Sequence, residues 1–210
     1  MMFNDDPKGD ELIGSVEEQP EWGGRYQMPV LDGDLAVTVH FRDVDGSALA
    51  ASDFDERRYA LDGRWDLGVG LWFEAVLNDK TASDLSLGWT KQIALGTDYT
   101  FDWGNGLYVL VEHMVAVVSD DMLGRDEDQS VTAWMLDYPV NVIDTVKLFG
   151  SYLWENGRFS TYLNWQRTYD NVVVSIGLFD YPEMPESQSG LPGRNVASGT
   201  GVEIVLIYNH

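Results

Sequence analysis

The stretch WDLGVGLWFEAVLND, residues 65–79, constrains the fold more than any other part of the chain. Every second residue from Trp65 is apolar: Trp65, Leu67, Val69, Leu71, Phe73, Ala75 and Leu77. Between them lie Asp66, Gly68, Gly70, Trp72, Glu74, Val76 and Asn78, a mixed, small and partly charged set. Period-two alternation belongs to a β-strand with one apolar face. Strands of soluble sheets are typically about 5–6 residues long and rarely carry so long an apolar face. The sequence therefore poses one question: which solvent or neighbour that face meets.

The pattern recurs, and helical spacing does not. DLAVTVHFRD sets Leu35, Val37, Val39 and Phe41 against Ala36, Thr38, His40 and Arg42. RRYALDGRW sets Tyr59, Leu61, Gly63 and Trp65 against Arg58, Ala60, Asp62 and Arg64. DLSLGWTKQIALGTDYTF alternates from Leu85 to Phe101, and FSTYLNWQRT sets Phe159, Thr161, Leu163 and Trp165 against Ser160, Tyr162, Asn164 and Gln166. Further segments are GGRYQMPV, LYVLVEHMVAVV, VTAWMLDYPV, VIDTVKLFGSYLW, VVVSIGLFDY and GVEIVLIYNH, with turn residues between them.

Composition narrows the classes. The 210 residues include 35 acids against 13 bases, a formal charge of −22, so the chain cannot replace counterions on phosphates and no nucleic-acid partner is expected. Cysteine is absent, which excludes disulfides, thiolate ligands and cysteine nucleophiles. The start, MMFNDDPKGDELIG, lacks the basic and apolar regions of a signal peptide. No run of about 18 apolar residues offers a transmembrane helix. A mean hydropathy of −0.21 suits a soluble protein, and equally a membrane barrel whose strands turn half their residues to the lumen.

Three features favour the membrane. The segments run to ten residues and beyond, and a spanning strand needs about 9–11. Aromatics gather near segment ends, among them Trp65, Tyr99, Phe101, Trp103, Tyr108, Tyr138, Trp154, Phe159, Tyr169, Phe179, Tyr181 and Tyr208, as amphipathic rings do in a headgroup zone. The long connections DVDGSALAASDFDE, SDDMLGRDEDQS and PEMPESQSGLPGRNVASGTG fall on one side if every strand reverses direction. The expected fold is all-β: an antiparallel up-and-down transmembrane β-barrel with ten or eleven strands in this chain, alone or within a larger barrel. Residues 1–23 are expected to form an acidic N-terminal loop or extension, and residues 24–210 the strands, with short periplasmic turns and longer outer loops.

On WDLGVGLWFEAVLN, LGTDYTFDWGNGLYVLVEH and TYLNWQRTYDN, the chain resembles the C-terminal portion of a bacterial outer-membrane β-barrel of the porin-like kind. The resemblance covers most of residues 24–210. It implies the bacterial outer membrane as location, its lipids as partners, and passive passage of small cationic or neutral solutes without a cofactor. Such barrels usually end in an aromatic residue and carry a secretion signal, whereas this chain ends LIYNH with Tyr208 as its last aromatic. Single-chain bacterial barrels have even strand numbers, so an odd count suggests the C-terminal fragment of a longer barrel begun at an internal methionine. A complete ten-stranded barrel over residues 34–210 is the alternative.

The lumen-facing set is expected to be His40, Arg42, Arg58, Asp62, Arg64, Asp66, Glu74, Asp98, Glu112, Lys147, Arg167 and Glu203. In a small barrel these would pair in a filled interior; in a larger one they would line an acidic, cation-favouring channel. Arg58, Asp62, Arg64 and Asp66 look like a local ion-pair ladder. His113 falls on the apolar face, where a bulge would relieve it. Glu112 and His113, as neighbours on a strand, point to opposite faces and form no dyad.

Neither H-E-x-x-H nor G-x-S-x-G occurs, so no catalytic site, enzyme activity or metal centre is expected. DVDGS at 43–47 and RDEDQ at 125–129 offer oxygen ligands without a full Ca²⁺ loop pattern. The rival reading is a soluble all-β carbohydrate-binding module, a jelly roll or sandwich stacking sugars on exposed Trp and Tyr such as Trp89 and Trp165.

Overall fold

The computed structural model describes residues 2–3, 14–16, 19–49, 52–81, 88–182 and 199–208. They form β1 (Met2–Phe3), β2 (Pro20–Val30), β3 (Gly33–Val44), β4 (Phe54–Asp66), β5 (Gly70–Thr81), β6 (Trp89–Phe101), β7 (Leu107–Ser119), β8 (Glu127–Pro139), β9 (Asp144–Leu153), β10 (Arg158–Thr168), β11 (Val172–Tyr181) and β12 (Gly199–Tyr208). A 3-10 turn at Gly46–Leu49 is the one helical element among the described residues. Leu85 and Leu87, expected in a strand, lie outside the described residues.

The fold is all-β and antiparallel. The strands are hydrogen-bonded in chain order from β1 to β12, and no ladder among the described residues leads from β12 back to the first strands. Connections after β2, β4, β6, β8 and β10 are short: 31–32, 67–69, 102–106, 140–143 and 169–171. Those after β3, β7 and β11, residues 45–53, 120–126 and 182–198, leave from the opposite strand ends, where only 154–157 is comparably tight. At the β2–β3 turn both Leu31 (φ 51°) and Asp32 (φ 61°) are left-handed, the twist that lets a two-residue hairpin continue the strands.

The chain divides into two compact units, residues 1–95 with 114–129, and residues 96–113 with 130–210. In the first, pairing places Tyr26, Val37, Leu61 and Ala75 in one row across β2–β5. Met28, Leu35, Gly63 and Phe73 form the row below, and Val39, Tyr59 and Leu77 belong to the row above. From Gly33 to Phe41, every second residue of β3 is on this face and none is charged. At ~3.3 Å per residue that stretch is about 26 Å long. The same face turns charged on β4 and β5 at the level of Phe41, where Arg57 pairs with both Phe41 and Asp79, and beyond it Asp43 pairs with Asp55. In the second unit Trp134, Leu136 and Tyr138 align with Gly150, Leu148 and Val146. Those continue into Leu163 and Trp165, then Leu178 and Ile176, then Val202 and Ile204.

Burial is inverted relative to a water-soluble sheet packed on a core. Among the described residues the buried hydrophobics are Ala36, Val44 and Phe54, whereas Ser15, Glu56, Asn78, Ser119, Asp144 and Asn164 are buried polar groups. The apolar faces are open: Tyr26 is 67% exposed, Ile93 53% and Ile204 67%.

Candidate functional site: the polar face of the sheet

Opposite the apolar rows, each unit carries a polar face built by the same alternation. On the first unit His40, Arg42, Arg58, Asp62, Arg64, Asp66 and Glu74 share this face. Pairing sets His40 opposite Arg58, Arg42 opposite Glu56, and Asp62 opposite Glu74.

Two charge clusters organise it. Arg25 on β2 reaches Asp62 on β4 through two parallel bonds of 2.7 Å and also donates to Thr38 Oγ1 at 3.0 Å. Toward the long connections, Glu56 accepts from Arg42 Nη2 at 3.0 Å, Arg58 Nη2 at 2.7 Å and Asn78 Nδ2 at 3.1 Å. Glu56 is only 3% exposed, so its charge is held by three donors rather than by water. His40 Nε2 lies 3.3 Å from Glu21 Oε2, and Ser15 also bonds Glu21. Among the described residues the buried Asn78 Oδ1 meets no donor.

The ladder expected along β4 is not the arrangement found. Asp62 pairs across strands with Arg25, and Arg58 pairs with Glu56. Neither Arg25 nor Glu56 was anticipated as a site residue. Glu56 was legible, because it stands two residues before Arg58 on the same face. Arg25 needs the β2–β3–β4 register.

On the second unit the polar face holds Asp98, Glu112, Lys147 and Glu203. Asp98 accepts from Tyr108 Oη at 2.7 Å, and Lys147 Nζ lies 3.0 Å from Asp137 Oδ2. Glu203 pairs with Gly177, which pairs with Asn164 and so continues the Lys147 row.

Arg167 is the exception to the expected set. Its register partner is Asp144, and both share the face of Val146, Leu163 and Trp165. Arg167 sits two residues from Trp165, and period two keeps such residues on one face. It binds Asp144 through two bonds of 2.7 Å and lies 5.4 Å from the Trp165 ring centroid, beside the short connections. The pair caps the apolar rows instead of lining the polar face.

Two other polar groups on the apolar face are also satisfied. His113 Nδ1 is 2.9 Å from Thr132 Oγ1, which Trp154 Nε1 also bonds at 2.9 Å, so no bulge is needed there. Lys91 reaches along the face to the carbonyls of Met122, at 3.1 Å, and Gly124. It thus brings its charge to the 120–126 connection. Trp89 and Trp165 are both half-buried.

Neither acidic segment forms a cation loop. Asp45 and Asp53 accept from the backbone of Ser47 and Gly46, Arg125 pairs with Asp128, and Asp126 accepts from Asp120 N. Among the described residues no group of three or more metal-ligating side chains could hold an ion. Compared with family models, curated proteins and solved structures, the chain matches none.

Proposed function

We propose that the chain forms the wall of a porin-like β-barrel in a bacterial outer membrane, with hydrocarbon against the apolar face and water against the polar one. The observation that carries this is the inverted burial: open rows such as Tyr26–Val37–Leu61–Ala75 opposite a face that keeps Glu56, Asn78 and Asn164 from bulk solvent. Outside a membrane, rows this wide mark an interaction surface or an aggregation liability. On β3 the uncharged stretch of about 26 Å matches the ~25 Å apolar band of such barrels, and on β4 it is one row shorter, ending at Tyr59 before Arg57. Aromatics border the rows, as Trp22 stacked on Phe41 at 4.5 Å and Trp65 on Phe73 at 5.9 Å. Counting β1 makes the strand number even, which all-antiparallel closure requires.

Transport would be passive, selected by width and by wall charge. Arg25, Arg42, Arg58, Arg64 and Lys80 lie among the acids of the polar face and offset them. Most of the −22 charge therefore belongs elsewhere, chiefly to the connections and the N-terminal segment. Cation preference would be modest and would arise mainly at the mouth.

Membrane partition and planar-bilayer conductance test the reading together. The barrel should sediment with vesicles, migrate faster on gels before heating than after, and give conductance steps with a small cation preference. A monodisperse, detergent-free solution that gives no conductance would replace it with the soluble carbohydrate-binding reading.

A further inference from the structure

Pairing aligns three rings across the polar face of the second unit. Phe149 on β9 is opposite Tyr162 on β10, and Tyr162 is opposite Phe179 on β11. The first two ring centroids are 6.1 Å apart, and Phe179 stacks on Tyr181 at 5.2 Å. Tyr162 and Phe179 each lie over a glycine. A Cβ on Gly177 would come within 2.5 Å of Tyr162 Oη, and one on Gly201 within 2.3 Å of Phe179 Cζ. A ring seated on a glycine lies along the sheet, with one face on backbone and the other turned away from it. Filling a notch accounts for Tyr162 and Phe179, but Phe149 covers no described glycine and is 37% exposed.

Polar groups flank the rings on both sides. One row holds Asp137, Lys147, Asn164 and, past Gly177, Glu203; the other holds Ser151 opposite Ser160. Asn164 donates to Tyr162 Oη at 3.2 Å and to Ser175 Oγ at 2.7 Å, which fixes the central ring. Asp137 matches Lys147, and Glu203 would repel an anionic ligand. Arg158, opposite Leu153 at the end of β10, is on the same face one row past Ser160, so the charges bordering the shelf have no net positive sum. Flat apolar surface bordered by hydrogen-bonding groups without net positive charge suits an uncharged ligand with apolar faces and a hydroxylated rim.

We propose that Phe149, Tyr162 and Phe179 form a stacking shelf for a neutral oligosaccharide, whose hydroxyls bond to Asp137, Lys147, Glu203, Ser151 and Ser160. The site deepens the channel reading by naming a solute class, and it requires only that water reach the polar face.

The test is calorimetric titration of the full chain, in a sugar-free amine-oxide detergent, with maltohexaose and separately with cellohexaose. At least one should bind saturably. Phe149→Ala should weaken that binding about tenfold and Phe149→Tyr should hold it within about threefold. Leu163→Ala, on the opposite face, should leave it unchanged. Phe179→Ala should match Phe149→Ala; if it loses strand circular dichroism, Phe149→Ala with Tyr162→Phe still decides. Absence of saturable binding to both sugars, or an affinity indifferent to Phe149→Ala, overturns the shelf. Vesicle partition measured on the same sample keeps the two proposals apart. Partition without sugar binding sinks the shelf alone, and sugar binding without partition sinks the membrane reading alone.

Discussion

On β2–β5 the polar face is held by charge: Arg25 clamps Asp62, and Arg42, Arg58 and Asn78 converge on Glu56. On β8–β11 the equivalent face is held by rings and an amide, Phe149, Tyr162, Phe179 and Asn164, with one ion pair between Lys147 and Asp137. Their opposite faces do not differ in this way; both are apolar and both are open. The contrast separates two demands on one alternating strand. The apolar face has a single requirement, set by its surroundings along the whole sheet. The polar face must only be satisfied, and ions or aromatics over glycine can do that, with different consequences for what passes or binds.

The largest effect is expected where the charged half depends on one buried group. Glu56→Ala leaves Arg42 and Arg58 facing each other without their shared carboxylate and should cost about 3 kcal/mol of stability in denaturant titration. A change under about 1 kcal/mol would mean that water already screens the cluster. Next come Leu61→Arg and Leu163→Arg, one in each half. In phospholipid vesicles each should cost about 2–4 kcal/mol, because an arginine would be placed within hydrocarbon. If either falls within about 0.5 kcal/mol, its face meets water.

Smaller effects follow in the aromatic half. Asn164→Ala removes the bonds to Tyr162 and Ser175 and should cost about 1 kcal/mol, well below Glu56→Ala. Equal losses would erase the distinction drawn between the halves. Lys147→Met breaks a pair whose side chains are 38% and 25% exposed, so its stability effect should stay under about 1 kcal/mol. Its measurable consequence should be a rise in cation preference in bilayer conductance, with Arg58→Glu producing a larger one.

Eleven strands and their apolar faces were legible from alternation alone, because a period of two is local and needs no knowledge of partners. The charges of the polar face follow from parity, and the same parity puts Arg167 with Trp165 on the apolar face rather than in the set expected to line a lumen. The pairings were not legible. Arg25 and Asp62 are 37 residues apart and meet only through the offsets of two hairpins. The aromatic row depends in the same way on the offsets of β9, β10 and β11, and a one-residue slip would turn each ring to the other face. Satisfaction of His113 by Thr132 likewise depends on contacts distant in sequence.

Because the chain has no cysteine, single-cysteine labelling can ask which solvent wets each face. Leu61→Cys and Glu74→Cys sit at nearly the same depth on opposite faces, since Leu61 pairs with Ala75 and Asp62 with Glu74. In vesicles, a small water-soluble methanethiosulfonate should modify the cysteine at 74 readily and leave the one at 61 unmodified. A cysteine at 61 that reacts as fast as the one at 74, with lipid present, would contradict the account.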